Sequence, residues 1–188
     1  MPLYDPLNRC IDYLRVSITD RCNLSCVYCK PLARLQMLAH TEILRYEEIL
    51  RLVSIAVALG IVHVRLTGGE PLIRRGVLDF IAELKKIKDI KDISLTTNGV
   101  LLDEMAAGLH DAGISRLNIS LDSLNARKFH EITGSDCWGR VWRGINRAEE
   151  AGFSPLKINM VPVRGINDGE VADFARLTIE RNIHVRFI

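Results

Sequence analysis

Cys22, Cys26 and Cys29 place three of the chain's five cysteines in one stretch, Cys22-Asn23-Leu24-Ser25-Cys26-Val27-Tyr28-Cys29. Thiols this close cannot be dispersed through a core as small hydrophobes, and as thiolates they suit one soft metal centre gripped by a single loop. A zinc site or an ordinary ferredoxin cluster takes four protein ligands, commonly as paired Cys-x-x-Cys units. This loop offers three, and Cys10 and Cys137 are both distant in sequence. Three thiolates on a four-iron cluster leave one iron open to a substrate or cofactor. Two blander readings stand beside that one: a structural zinc site completed by a histidine, and a reduced thiol trio without function.

The elements around the loop repeat one unit. A short apolar-alternating strand, residues 13–19, runs straight into the cysteines. Helical periodicity holds from Arg45 to Leu59, with Ile49, Leu52, Val53, Ala56 and Val57 on one face and Gly60 as a C-terminal cap; a strand follows at Val62–Thr67. Helices over 77–88, 101–112, 138–151 and 168–181 then alternate with strands over 93–97, 115–121, 156–161 and 184–188. Residues 1–12 read as an extended lead-in and 30–44 as irregular. The alternation predicts a parallel sheet wound by right-handed crossovers, in one domain over residues 1–188.

Period-2 geometry puts Arg15, Ser17 and Thr19 on one strand face, and likewise His63, Arg65 and Thr67; Ser94, Thr96 and Asn98; Asn118, Ser120 and Asp122; Lys157 and Asn159; His184 and Arg186. Parallel strands covered on both faces read as apolar throughout. A polar face recurring in every strand is costly to bury unsatisfied, so it should line a wet or ligand-filled cavity. The expected fold is α/β: a partial, six-stranded (β/α)6 barrel of the TIM type, open on one side. With Arg15, Arg65, Lys157 and Arg186 directed inward, the lumen should favour an anion such as a phosphate chain. The competing reading pairs these cations with Asp122 or Glu70. Polar loops also gather at the C-terminal ends of the strands, where barrel enzymes place their chemistry.

Gly68-Gly69-Glu70-Pro71 follows the second strand. Such a turn lets backbone approach a ligand closely, and Glu70 can accept hydrogen bonds from an amino group. Cys-x-x-x-Cys-x-x-Cys with an aromatic before its last cysteine, joined to this turn, resembles the radical S-adenosylmethionine (SAM) enzymes. The stretches Tyr13–Asn23, Arg65–Leu72, Thr96–Gly99, Asn118–Asp122 and Lys157–Asn159 together resemble the GTP 3′,8-cyclase family of molybdenum-cofactor biosynthesis. That resemblance implies a partial radical SAM barrel, and a [4Fe-4S] cluster on Cys22, Cys26 and Cys29. It implies SAM contacts at Tyr28, Gly68, Gly69, Glu70 and Ser120, and GTP contacts at Arg15, Arg65, Thr96 and Lys157.

The mechanism implied is reductive cleavage of SAM to methionine and a 5′-deoxyadenosyl radical. This radical takes the ribose 3′ hydrogen of GTP, and the resulting carbon radical closes on C8 of guanine. The protein's share is orientation, charge neutralisation and exclusion of water. The family also carries a second [4Fe-4S] cluster on three cysteines of a C-terminal extension. This chain ends at Ile188, in or just after the sixth strand, so it is expected to be the N-terminal part of such a cyclase without that cluster. Lys30, where the family usually has methionine, and the glycine-poor stretch Leu32–Thr41 are smaller departures.

Composition narrows the partners. Hydrophobic content of 48% and charged content of 26% over 188 residues fit a soluble globular chain, and a formal charge of +2 argues against nucleic acid or an anionic membrane. Nothing approaches a transmembrane run or a signal peptide, and an odd cysteine count with three crowded together points to a reducing cytoplasm. Lys85-Lys86-Ile87-Lys88 reads as a solvated helix face. The resemblance adds an electron donor such as flavodoxin or ferredoxin, and a homodimer, as expected partners. Another radical SAM substrate such as a peptide, and a catalytically incomplete fragment acting as an interaction module, remain the alternatives.

Overall fold

The structure, a computed structural model, describes residues 3–29 and 37–188. Lys30 and residues 32–36 of the Leu32–Thr41 stretch lie outside the described residues. The lead-in is more structured than expected: β1 (Leu3–Tyr4) pairs antiparallel with β2 (Cys10–Ile11). Asp5 accepts from the Leu7 and Arg9 amides, each at 2.9 Å, and so closes the turn between them.

β3 (Tyr13–Ser17), β4 (His63–Thr67), β5 (Asp92–Thr97), β6 (Arg116–Ser120), β7 (Leu156–Met160) and β8 (Ile183–Phe187) form one parallel sheet, each strand beside its predecessor. An order that never reverses, with crossovers of fixed hand, puts the helices on one face and leaves the other facing a lumen. A doubly wound sheet would reverse. Burial follows this division: Val64, Leu66, Leu95, Leu117, Ile119, Leu156 and Ile158 are fully buried, while Arg65, Thr96, Ser120, Lys157 and Asn159 between them are half-exposed. The fold is the expected partial barrel.

The crossover helices are α1 (Tyr46–Ala58), α2 (Val77–Lys85), α3 (Leu102–Ala112), α4 (Ala126–Thr133), α5 (Trp138–Glu150) and α6 (Val171–Glu180). Neighbours pack in sequence, α1 on α2, α2 on α3, α3 on α5. In α1 the Glu48 carboxylate accepts from the Arg45 amide at 2.6 Å, capping the first turn, and Ile49 and Val53 face the core. Leu52 does not join them. It is 52% exposed, lying off the stripe that i, i+4 spacing makes.

α4 has no counterpart in the sequence-based expectation. It has only eight residues, and Phe129 and Ile132 are its apolar anchors, too few to set up a visible period. Its ends carry the signal instead: the Asn125 side chain accepts from the Arg127 and Lys128 amides, and Gly134 closes it in the left-handed conformation at φ 68°.

Candidate functional site

The cysteine loop leaves β3 and is tied by backbone to two elements, the turn after β4 and the end of α4. Thr19 and Arg21 carbonyls accept from the Gly69 and Glu70 amides, both at 2.7 Å. Ser25 and Val27 amides donate to the Thr133 and Ile132 carbonyls at the end of α4, at 3.0 and 2.9 Å. The glycines are required by the first of these contacts. A Cβ on Gly69 would lie 2.1 Å from the Arg21 carbonyl oxygen, and one on Gly68 2.5 Å from that of Thr19. The Gly-Gly pair therefore brings backbone against the root of the cysteine loop, where the sequence alone had suggested approach to a ligand.

Cys22 and Cys26 are half-buried and Cys29 is exposed. Cys22 Sγ accepts from the Leu24 amide at 3.4 Å and from the Asn98 side-chain amide at 3.8 Å. Asn98 also donates to Asn23 Oδ1 at 2.8 Å, fixing its orientation. Burial first, then the charges of Asp122, Cys22 and Cys29, pushes the Cys26 thiol up to about 11. A proton so held is the one a metal cation displaces on binding. Among the described residues, no three Cys, His, Asp or Glu side chains converge closely enough to hold a metal ion as they stand. Donor type, shared loop and N–H donors to sulfur fit an iron–sulfur cluster. The sulfurs share a loop without yet converging on one point.

Glu70 departs from its expected role. It is 1% exposed, and its carboxylate accepts from Thr97 Oγ1 at 2.7 Å, the Asn98 amide at 2.7 Å and the Leu72 amide at 3.1 Å. Burial raises its pKa above the usual carboxylate range, against those three hydrogen bonds. With its acceptors turned into the protein, it clamps the loop after β4 to the end of β5 and offers no free oxygen to an amino group.

The lumen face gathers Arg15, Tyr28, Arg65, Thr96 and Ser120 around one cleft of about 280 Å³, together with Asp122 and Asn159. Gly68, Gly69 and Lys157 do not line it. Lys157 sits on the same face, in register between Asn118 and His184. Burial and then the neighbouring Arg186, Arg116 and Arg65 lower its ammonium pKa, the mark of a crowded cationic surface.

The competing ion-pair reading fails for both named acids. Neither Asp122 nor Glu70 takes a lumen cation; Asp92 instead pairs with Arg116, Nε to Oδ1 at 2.8 Å. Arg116 and Asp92 lie on this face too and were missed because the sequence reading started their strands' polar sets further along. Arg65 donates to Ser94 Oγ at 3.2 Å and lies 5.4 Å from the Tyr13 ring centre. Asn159 Oδ1 is buried at the cleft with no donor among the described residues, an acceptor left for a ligand.

Asp122 binds this region together. It accepts from the Tyr28 hydroxyl at 2.5 Å and from the Val161 amide at 2.8 Å, while Asn167 donates to its carbonyl at 2.6 Å. Burial raises its pKa, and burial together with the Asp122 charge drives the Tyr28 phenol well above its ordinary value. No helix of the described residues is long and apolar enough to cross a membrane.

Comparison with known proteins bears on this arrangement directly. The chain is 56% identical over 188 residues to a GTP 3′,8-cyclase of Geobacter sulfurreducens, covering 100% of this chain and 58% of the relative. It is 52% identical over 186 residues to that of Petrotoga mobilis, covering 99% and 58%. The chain thus spans a little over half the length of these curated relatives. Among solved structures, Streptococcus suis SuiB bound to precursor peptide SuiA shares the fold, with a TM-score of 0.73 at 20% identity over 94% of this chain and 39% of that one. The family model described as the radical SAM superfamily matches residues 16–178, from β3 into α6. Membership of that family implies an iron–sulfur cluster and SAM binding, and on that match, running through the cysteine loop and most of the barrel, the chain belongs to the radical SAM superfamily.

Proposed function

We propose that residues 1–188 are the radical SAM core of a GTP 3′,8-cyclase of molybdenum-cofactor biosynthesis, holding SAM and the phosphates of GTP in one lumen. One observation carries the reading. Arg15 and Arg65, unpaired with Asp122 or Glu70, line the same cleft as Tyr28 of the cysteine loop, and Lys157 and Arg186 extend the cationic face along the next two strands. A peptide substrate gives no reason for such a face; a triphosphate does. The names of the relatives support the same substrate.

Cys22, Cys26 and Cys29 would hold the cluster; bound with SAM, it supplies one-electron chemistry and a carbon radical able to abstract hydrogen. The chain's own residues do the rest. The Leu24 and Asn98 N–H groups direct positive charge at Cys22 Sγ. Ser120, Thr96 and the orphan Asn159 oxygen offer hydrogen bonds on the cleft wall. Arg15, Arg65 and Lys157 neutralise phosphate charge and fix the nucleotide. Glu70 and Asp122 act through the loops they clamp. A cytoplasmic setting, an electron donor such as flavodoxin or ferredoxin, and a homodimer complete the proposal; closure of the guanine ring system is assigned to the whole cyclase.

The test is anaerobic reconstitution, followed by iron and acid-labile sulfide per chain and SAM cleavage with and without GTP. About four irons and deoxyadenosine are expected, with iron lost in Cys22→Ala, Cys26→Ala and Cys29→Ala but kept in Cys10→Ala. Zinc in place of iron would overturn the reading.

A further inference from the structure

A second cleft, of about 410 Å³, shares no lining residue with the first. Its walls are Thr19 and Arg21 at the root of the cysteine loop, Ile43 and Arg45 before α1, and Ile73, Arg74 and Arg75 after the Gly-Gly-Glu-Pro turn. Its charge is one-sided, with four guanidinium groups and no carboxylate on the wall. Arg74 is committed to structure, donating to the Leu44 carbonyl at 2.7 Å and stacking 4.1 Å from the Tyr46 ring centre. The other three are not. Among the described residues Arg21, Arg45 and Arg75 meet no carboxylate, and Arg21 Nε is buried without a partner.

Of the nearby acids, Glu48 caps the Arg45 amide, Glu42 accepts from the Ala39 amide at 2.8 Å, and Asp20 Oδ2 accepts from that of Leu38 at 2.8 Å, its Oδ1 being buried with no partner among the described residues. Uncompensated arginines beside two isoleucines are the composition of a protein interface centre. The patch begins one peptide bond from Cys22.

We propose that this cleft docks a small acidic protein that carries single electrons; the inference rests on the radical SAM reading of the cysteine loop. One electron leaves the reduced carrier, which ends oxidised by one equivalent. It is consumed in breaking one carbon–sulfur bond of SAM; the sulfur leaves in methionine, and the carbon radical becomes 5′-deoxyadenosine by taking one hydrogen from substrate. Arg21, Arg45 and Arg75 attract and orient the carrier over the loop from outside, so reductant and substrate approach by separate openings.

The experiment is calorimetric titration of the intact chain with a purified acidic flavodoxin, at low salt and at ~0.3 M salt, where the Debye length is well under 10 Å. Arg45→Gln/Arg75→Gln should weaken low-salt binding at least about tenfold, the gap closing at high salt. Lys88→Gln/Lys91→Gln removes the same charge from exposed positions elsewhere and should stay within about twofold. SAM cleavage driven by dithionite should be equal in the Arg45/Arg75 variant and the unsubstituted chain, while flavodoxin-driven cleavage falls in the variant.

Equal weakening by both double variants would reduce the effect to net charge and overturn the docking site. So would unchanged flavodoxin binding alongside lost inorganic triphosphate binding, which would make the cleft a small-anion site. Absence of dithionite-driven cleavage in the unsubstituted chain would remove the radical reading, and the inference with it, whatever the affinities.

Discussion

The Tyr28 hydroxyl donates to Asp122 Oδ2 at 2.5 Å, joining the cysteine loop to the segment just past β6. The other oxygen of the same carboxylate holds the Val161 amide just past β7. One buried acid thus registers three loops of the lumen rim. Tyr28→Phe leaves Asp122 Oδ2 without its donor at a residue 4% exposed, and should cost about 1–3 kcal/mol in chemical denaturation. Combined with Asp122→Asn, the loss should be clearly smaller than the sum of the two single losses, because both act on one bond.

Gly69→Ala should be severe. The new methyl would sit 2.1 Å from the Arg21 carbonyl, and neither backbone can yield without dragging the cysteine loop. A loss of about 3 kcal/mol or more is expected, with reduced iron uptake on reconstitution. Gly139→Ala in α5 is the contrast. Nothing lies nearer its Cβ than Arg143 Nη1 at 3.8 Å, and it should stabilise by about 0.5–1 kcal/mol. Thermal unfolding of both variants checks the pair.

Glu70 gives a pH signature. Burial raises its folded-state pKa, so the folded chain binds that proton more tightly than the unfolded one. Its contribution is fully present below the ordinary carboxylate value and is lost as pH rises through the raised one. Glu70→Gln removes this titration. The stability advantage of the unsubstituted chain over the variant should therefore be greatest below the ordinary carboxylate pKa and narrow as pH rises above it, as followed by urea unfolding.

Lys157 tests the nucleotide proposal. Its ammonium is held below its usual pKa by burial and then by Arg186, Arg116 and Arg65, so its charge is lost earlier as pH rises. GTP binding should weaken on the alkaline side at a lower pH than in Lys157→Arg, whose guanidinium stays charged. Lys157→Ala should weaken binding by about tenfold to a hundredfold. A pH series of calorimetric titrations reads both.

The parallel sheet was legible because every strand carries a strict two-residue alternation. Arg65 between Val64 and Leu66, or Lys157 between Leu156 and Ile158, announces which face lines the lumen. The cysteine loop was equally plain from spacing. What the sequence hid lies in contacts that have no period. α4 is too short and polar to repeat, yet its last two carbonyls hold the loop. Glu70 was expected to face a ligand because its three donors, Thr97, Asn98 and Leu72, meet it only after folding. Arg21, Arg45 and Arg75 come from separate stretches and form a patch in space alone.

The strictly sequential strand order bears on how the chain assembles during synthesis. Each parallel strand finds its partner in the one made just before it, so the sheet can grow by single additions as the polypeptide emerges, with little search between distant segments. The thiol loop emerges early, but its anchors arrive in instalments: first the glycine turn, then Asn98, then Asp122 and the end of α4. Nascent chain halted before α4 would expose Cys22, Cys26 and Cys29 on a loop without that anchor. Cluster insertion would then be a late event in the life of the new protein, timed by the ribosome's passage beyond Thr133.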